Sequence, residues 1–177
     1  MKTLYRILLL SMIFTSVAIA AESALNIQAI SAAKINNFRA PESDVLSAGQ
    51  PTAEQFKIMA DLGVKHVINL RTPGEDAGFD EKMTVEALGM SYSNIPVSVG
   101  DGGINYDNSQ SLQKLLDEFG DEGVVVHCAT GNRVGALISL SVFEEGGSLD
   151  NSIQEGSRWG MTSERLQQVV RETLSEN

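Results

Sequence analysis

One cysteine and two histidines are all the thiol and imidazole that the 177 residues contain. A single thiol, Cys128, cannot close an intramolecular disulfide. With only His66 and His127 beside it, a zinc site of the Cys/His type cannot be assembled, and nothing in the sequence asks for a metal or an organic cofactor. Cations are scarce: 13 Lys+Arg face 23 Asp+Glu, a formal net charge of −10. Nucleic-acid binding needs clustered Lys and Arg against phosphates, so a nucleic-acid partner is disfavoured, and an acidic membrane surface equally so. Beyond the N terminus no apolar stretch could cross a membrane. Internal repeats, low-complexity tracts and a linker dividing two domains are missing as well, which leaves one domain with one core.

The N terminus is the exception in character. Lys2 and Arg6 open a short basic region, residues 7–18 are almost wholly apolar, and Ala18-Ile19-Ala20 offers small residues at a cleavage spacing. This is the pattern of a secretory signal peptide over residues 1–20. Its apolar run of 12 residues is short of the roughly 20 that span a bilayer. The expectation is a periplasmic or secreted protein, not membrane-bound after cleavage. Loss of Lys2 and Arg6 takes the formal charge to −12. A lone thiol in an oxidising compartment is open to oxidation and mispairing, so Cys128 needs a reason to be there.

Residues 21–42 are polar and Ala-rich. They read as a leader packed loosely on the domain, with a poorly capped helix within 24–35. The domain proper is expected over 43–177. A strand is expected at 45–49. Thr52 and Gln55 form a capping box for a helix with Phe56, Met59 and Ala60 on one face, ended by Gly63. An apolar strand follows at 64–70, then a loop at 71–80, a helix at 81–88 closed by Gly89, and a strand at 91–97. A Gly- and Asp-rich loop at 98–108 precedes a helix at 109–119. Val124-Val125-Val126 is a fully apolar strand of the buried kind. A helix runs on to about Glu145, and two shorter ones close the chain at 149–158 and 163–174, the last capped by Ser163. Strands alternating with helices give an α/β fold: a four- to five-stranded, mostly parallel sheet flanked by helices.

Chemistry concentrates between residues 124 and 134. Ligands of open α/β sheets bind at the carboxyl ends of strands, and Cys128 stands at such an end. Ala129, Thr130, Gly131 and Asn132 form a tight loop of small residues before a helix. Backbone N–H groups turned inward there make an anion nest, and the helix terminus adds positive potential. Both favour a thiolate. Arg133 closes the loop with a fork suited to bidentate oxyanion contact. The constellation is that of nucleophilic catalysis.

His-Cys, a Gly-containing loop, Arg and a helix resemble the signature of cysteine-dependent protein tyrosine and dual-specificity phosphatases. Ser47-Ala48-Gly49-Gln50-Pro51-Thr52, Gly63-Val64-Lys65-His66-Val67-Ile68-Asn69-Leu70-Arg71 and Ile95-Pro96-Val97 look like the phosphatase-like domain of beta-lactamase hydrolase-like proteins, a bacterial branch of that superfamily. The resemblance covers about residues 43–160. It implies a dual-specificity phosphatase fold, a phosphocysteine on Cys128, Arg133 on phosphate oxygens and an aspartate on an earlier loop as proton donor. His127 would orient the loop and favour the thiolate. Residues 129–132, flanked by His127 and Val134, would form the substrate cradle. Asp101, in the loop after Ile95-Pro96-Val97, falls where the acid belongs, although Asp-Gly is also a common turn pair. Asp107 is the second candidate, with helix capping as its other role.

Two features depart from the family pattern. Four residues rather than five separate Cys128 from Arg133, the spacing of many rhodaneses. Val134 stands where a Ser or Thr would assist thiolate release. The leading expectation is an exported cysteine phosphatase acting on a small anionic or phosphorylated substrate. The alternatives are a sulfurtransferase carrying a Cys128 persulfide and a non-catalytic anion-binding module. Arg71 and Glu75 are expected near the same sheet edge, either on substrate or paired at the surface. Trp159 is expected in the core rather than in a pocket wall.

Overall fold

The computed structural model describes residues 25–175. The expected signal segment, 1–20, therefore lies outside the described residues. Four strands, β1 (Val45–Ala48), β2 (His66–Asn69), β3 (Ser91–Asn94) and β4 (Val124–His127), form one sheet in the order β1-β4-β2-β3, all parallel. The register aligns Ala48, His127, Asn69 and Asn94 along one edge, so the residues that follow all four strands emerge at the same end.

Alternation along the strands divides the core. Val124 and Val126 of β4 face one way with Val45 and Ile68. Val125 faces the other way with Leu46, Ala48 and Val67. This is the period of two that a strand imposes, and both faces are apolar because helices cover both. The helices are α1 (Ile27–Ser31), α2 (Ala53–Asp61), α3 (Glu81–Ala87), α4 (Tyr106–Phe119), α5 (Asn132–Glu144), α6 (Leu149–Arg158) and α7 (Glu164–Ser175). The first three supply Ile30, Phe56, Met59 and Val85 to the Val125 side. The last four pack Leu112, Leu137, Ile153 and Leu166 on the Val124 side.

Local signals account for most boundaries. Thr52 and Gln55 make the reciprocal capping box before α2, and Ser163 caps α7. Two boundaries move by three residues, and the strand expected at 64–70 shortens to His66–Asn69. β3 ends at Asn94 rather than 97 because Pro96 has no N–H to donate, although Ile95 and Val97 still donate to Asn69 and Leu70 carbonyls at 3.0 and 3.1 Å. The helix expected from 109 begins at Tyr106, with Asn105 as its cap. Asp107 lies exposed in that first turn, and the capping role belongs to Asn105.

The leader is packed more firmly than its composition suggests. Asn26 caps α1, Ile30 is wholly buried and Ile35 nearly so. Arg39 and Ser47 exchange backbone hydrogen bonds of 2.7 and 2.9 Å, which covers the open edge of β1. Among the described residues no helix is long and apolar enough to cross a membrane.

Candidate active site

Strand β4 carries the chain into the sheet edge, and residues 128–131 turn it into α5. The turn needs a glycine: Gly131 has φ of 81°, and a Cβ there would lie 2.6 Å from the Asn37 amide nitrogen. Cys128 is 1% exposed, and its Sγ accepts the Gly131 N–H at 3.1 Å. Several neighbours hold the loop. The Gln50 N–H donates to the Ala129 carbonyl at 3.1 Å. Asn37 Nδ2 donates to the carbonyls of Thr130 and Gly160, each at 2.8 Å. Asn132 Oδ1 accepts the N–H groups of Thr162 and Ser163 at 2.8 and 2.7 Å, which ties the start of α5 to the start of α7.

Arg133 is buried with its fork held. Nη1 donates to the Val97 carbonyl at 2.9 Å, and Nη1 and Nη2 donate to the two carboxylate oxygens of Glu75 at 2.6 Å each. This bidentate geometry is the strong form of a charge-assisted pair. The Arg133 hydrogen bonds hold the Glu75 carboxyl at about 2, against the opposing effect of burial. Burial works against the charge on Arg133 too, but Glu75 and the nearby Cys128 outweigh it and raise its pKa. Glu75 takes the Nη1/Nη2 edge, so the Nε/Nη2 edge is the one left for an incoming oxyanion.

A second carboxylate organises the other side. Glu81, on the inner face of α3, lies 3.1 Å from His127 Nε2 and accepts Asn69 Nδ2 at 2.7 Å. Burial alone would raise its pKa, but hydrogen bonds from His127 and Gln50 keep the carboxyl below the usual range. Gln50 also accepts from Arg71, whose Nη2 donates to the Asp76 carbonyl at 2.7 Å and whose Nε lies 3.5 Å from Glu75. His127, Glu81, Gln50, Arg71, Glu75 and Arg133 thus form one polar chain behind the loop.

The structure sorts the residues proposed from sequence. Cys128, Arg133 and residues 129–132 come together. Thr130, Asn132 and Arg133 line an open cleft of about 270 Å³ with Val99 and Gly100. The side chains of His127 and Val134 are wholly buried and do not line this cleft, His127 lying against Glu81 and the Phe56 ring and Val134 in the core. Asp101 is exposed, and its Oδ2 accepts the Ser98 hydroxyl at 2.8 Å rather than contacting the loop, although its neighbour Gly100 lines the cleft. Arg71 and Glu75 are paired, and what they hold is Arg133. Trp159 is in the core as expected, 4% exposed. Glu81 and Asn37 escaped the sequence reading. Glu81 looks like an ordinary acidic residue in a first helical turn, and Asn37 sits in a polar leader 91 residues before Cys128.

No family model matches the chain. A beta-lactamase hydrolase-like protein of Agrobacterium fabrum is 35% identical over 111 residues, 60% of this chain and 24% of that protein. The chain therefore spans about a quarter of the length of the curated relatives it matches. Among solved structures, a DUF442 phosphatase candidate from Shewanella putrefaciens CN-32 is 25% identical, with 85% of this chain and 95% of that one covered and a TM-score of 0.64. TpbA of P. aeruginosa, solved in complex with phosphotyrosine, is 14% identical, with 88% and 90% covered and a TM-score of 0.59. These likenesses bear out the α/β phosphatase fold and the resemblance read from the motifs.

Proposed function

From this similarity to beta-lactamase hydrolase-like proteins and the cysteine-based phosphatase fold, we propose that the chain hydrolyses phosphate monoesters through Cys128. The observation that carries the reading is a thiol 3.1 Å from a loop N–H, at the amino end of α5, beside a guanidinium with one edge fixed by Glu75. The Cys128 thiolate attacks phosphorus and the bond to the ester oxygen breaks. Loop N–H groups and Arg133 take the charge on the non-bridging oxygens. Asp101 gives a proton to the leaving oxygen, for which the loop carrying it must swing it from Ser98 toward the cleft. Water then attacks the phosphocysteine, Asp101 takes its proton, the S–P bond breaks and phosphate leaves. Glu75 is not the acid, because its carboxyl, held at about 2, stays ionised.

The test is hydrolysis of p-nitrophenyl phosphate and of an alkyl phosphate under reducing conditions. Turnover should be lost in Cys128→Ser. Asp101→Asn should slow the alkyl ester by about 100-fold or more, within the 10²–10⁴ range of general-acid assistance, and the activated aryl ester far less. No turnover above Cys128→Ser defeats the reading. Equal effects of Asp101→Asn on both esters remove Asp101 from it.

The loop of four residues between Cys128 and Arg133 favours a second reading, sulfur transfer. The thiolate would take a sulfane sulfur from thiosulfate, releasing sulfite and leaving a persulfide. A gain of one sulfur in the mass of Cys128, with no phosphatase turnover, would select it. Export is part of the proposal: the secreted protein should begin just after Ala20, and N-terminal sequencing of it decides.

A further inference from the structure

The cleft beside Arg133 stands apart in its charge. Three other clefts on the surface carry between three and five carboxylates each, for example Glu42, Asp117, Asp121, Glu145 and Glu155 between α4, α5 and α6. No acidic residue lines the cleft at Arg133, in a chain with 23 Asp+Glu against 13 Lys+Arg. It contains a second arginine instead, Arg165, with Ser163 beside it. Arg71, Arg133, Arg158 and Arg171 all have acidic partners, and Arg39 donates to a backbone carbonyl. Among the described residues, Arg165 is the arginine without a hydrogen-bond or ion-pair partner, and it is exposed.

Its position is not arbitrary. Arg165 lies in the first turn of α7, and the chain just before that helix is pinned to the catalytic loop by Asn132, which accepts the N–H groups of Thr162 and Ser163. The same residue that begins α5 thus fixes where the second guanidinium starts. Val99, 37% exposed, offers an apolar surface on the same cleft. An unpaired cation in an acid-free cleft attracts an anion, and screening by water is reduced in a concave site.

We propose that this cleft takes a small phosphate monoester bearing a second anionic group, phosphate or carboxylate. The scissile phosphate sits on Arg133 and the loop, the second group on Arg165 and Ser163, and the spacer against Val99. The inference rests on the Arg133 site being the phosphate site of the proposed phosphatase. Arg165 then selects the substrate without taking part in bond breaking.

Binding tests it without turnover. The Cys128→Ser chain is titrated with methylphosphonate, with α,ω-alkane diphosphonates of increasing spacer length, and with the matching phosphonocarboxylates. One spacer should bind about fivefold or more tighter than methylphosphonate, the upper range for one exposed charge pair, beyond the twofold that two equal ends supply. Arg165→Gln should remove that margin. The better of the two series identifies the second group. A margin that is absent, or that survives Arg165→Gln while binding still requires Arg133, overturns this inference alone. Binding indifferent to Arg133→Lys, which loses the fork, overturns the phosphate site with it.

Discussion

At the scale of single residues the candidate site depends on two carboxylates, Glu75 on Arg133 and Glu81 on His127. Glu75 fixes Arg133 through two bonds of 2.6 Å, and a glutamine there would replace one acceptor with an NH₂ that faces a donor. Glu75→Gln should lower kcat/KM for aryl phosphate by about 10- to 100-fold, the usual effect of removing a group that orients a site residue. The variant also has a pH signature. The Glu75 carboxyl falls from 4.5 to about 2 on folding, so its stabilising effect is complete above the unfolded value and is lost as pH drops through the folded one. The urea midpoint of the wild type should exceed that of Glu75→Gln at pH 6, and the gap should close between about 4.5 and 2. A constant gap would mean that Glu75 acts by shape alone. Cys128 and Arg133 were legible in the sequence because strand, small-residue loop and helix are contiguous. Glu75 as their partner was not, because it reaches Arg133 across 58 residues, by a loop path that no local pattern encodes.

At the scale of elements, α5 has to leave the loop and run directly under α6. The two helices meet at glycines. A Cβ on Gly135 would lie 2.1 Å from the Gly156 carbonyl oxygen, and one on Gly156 would lie 2.0 Å from Ser139 Oγ. Each glycine sits inside a helix, where it costs about 1 kcal/mol relative to alanine, so close approach of the backbones is what requires it. Gly135→Ala should destabilise by about 1–3 kcal/mol, the cost of overpacking, in spite of the gain in helix propensity. Gly74→Ala, with nothing within 4 Å, should be nearly neutral in the same urea titration. Were both neutral, α5 and α6 would be free to separate. Most elements were readable because their ends carry local chemistry, as at Thr52–Gln55 and Gly63. The start of α4 at Tyr106 was misplaced because an Asp-Gly-Gly turn hid the cap at Asn105. Gly135 gives no sign of its role, since which helix crosses another is a tertiary matter.

At the scale of the whole molecule, the segment before β1 serves the core and the site separately. Ile30 is wholly buried with Leu46, Phe56 and Met59 on the face away from α5. Ile30→Ala should cost about 2–5 kcal/mol, a large part of the roughly 5–15 kcal/mol that holds a domain. The same change should leave turnover per folded molecule intact. Asn37 instead bridges the carbonyls of Thr130 and Gly160. Its φ of 48° is left-handed, a conformation glycine accepts freely, so Asn37→Gly removes the amide without straining the backbone. That variant should lose only about 1 kcal/mol for each hydrogen bond, yet turnover should fall severalfold because the Thr130 carbonyl is free to turn into the cradle. Opposite splits of stability and activity in the two variants would show that one short segment does two jobs. Full activity in Asn37→Gly would mean that Gly131 and the helix end shape the loop unaided.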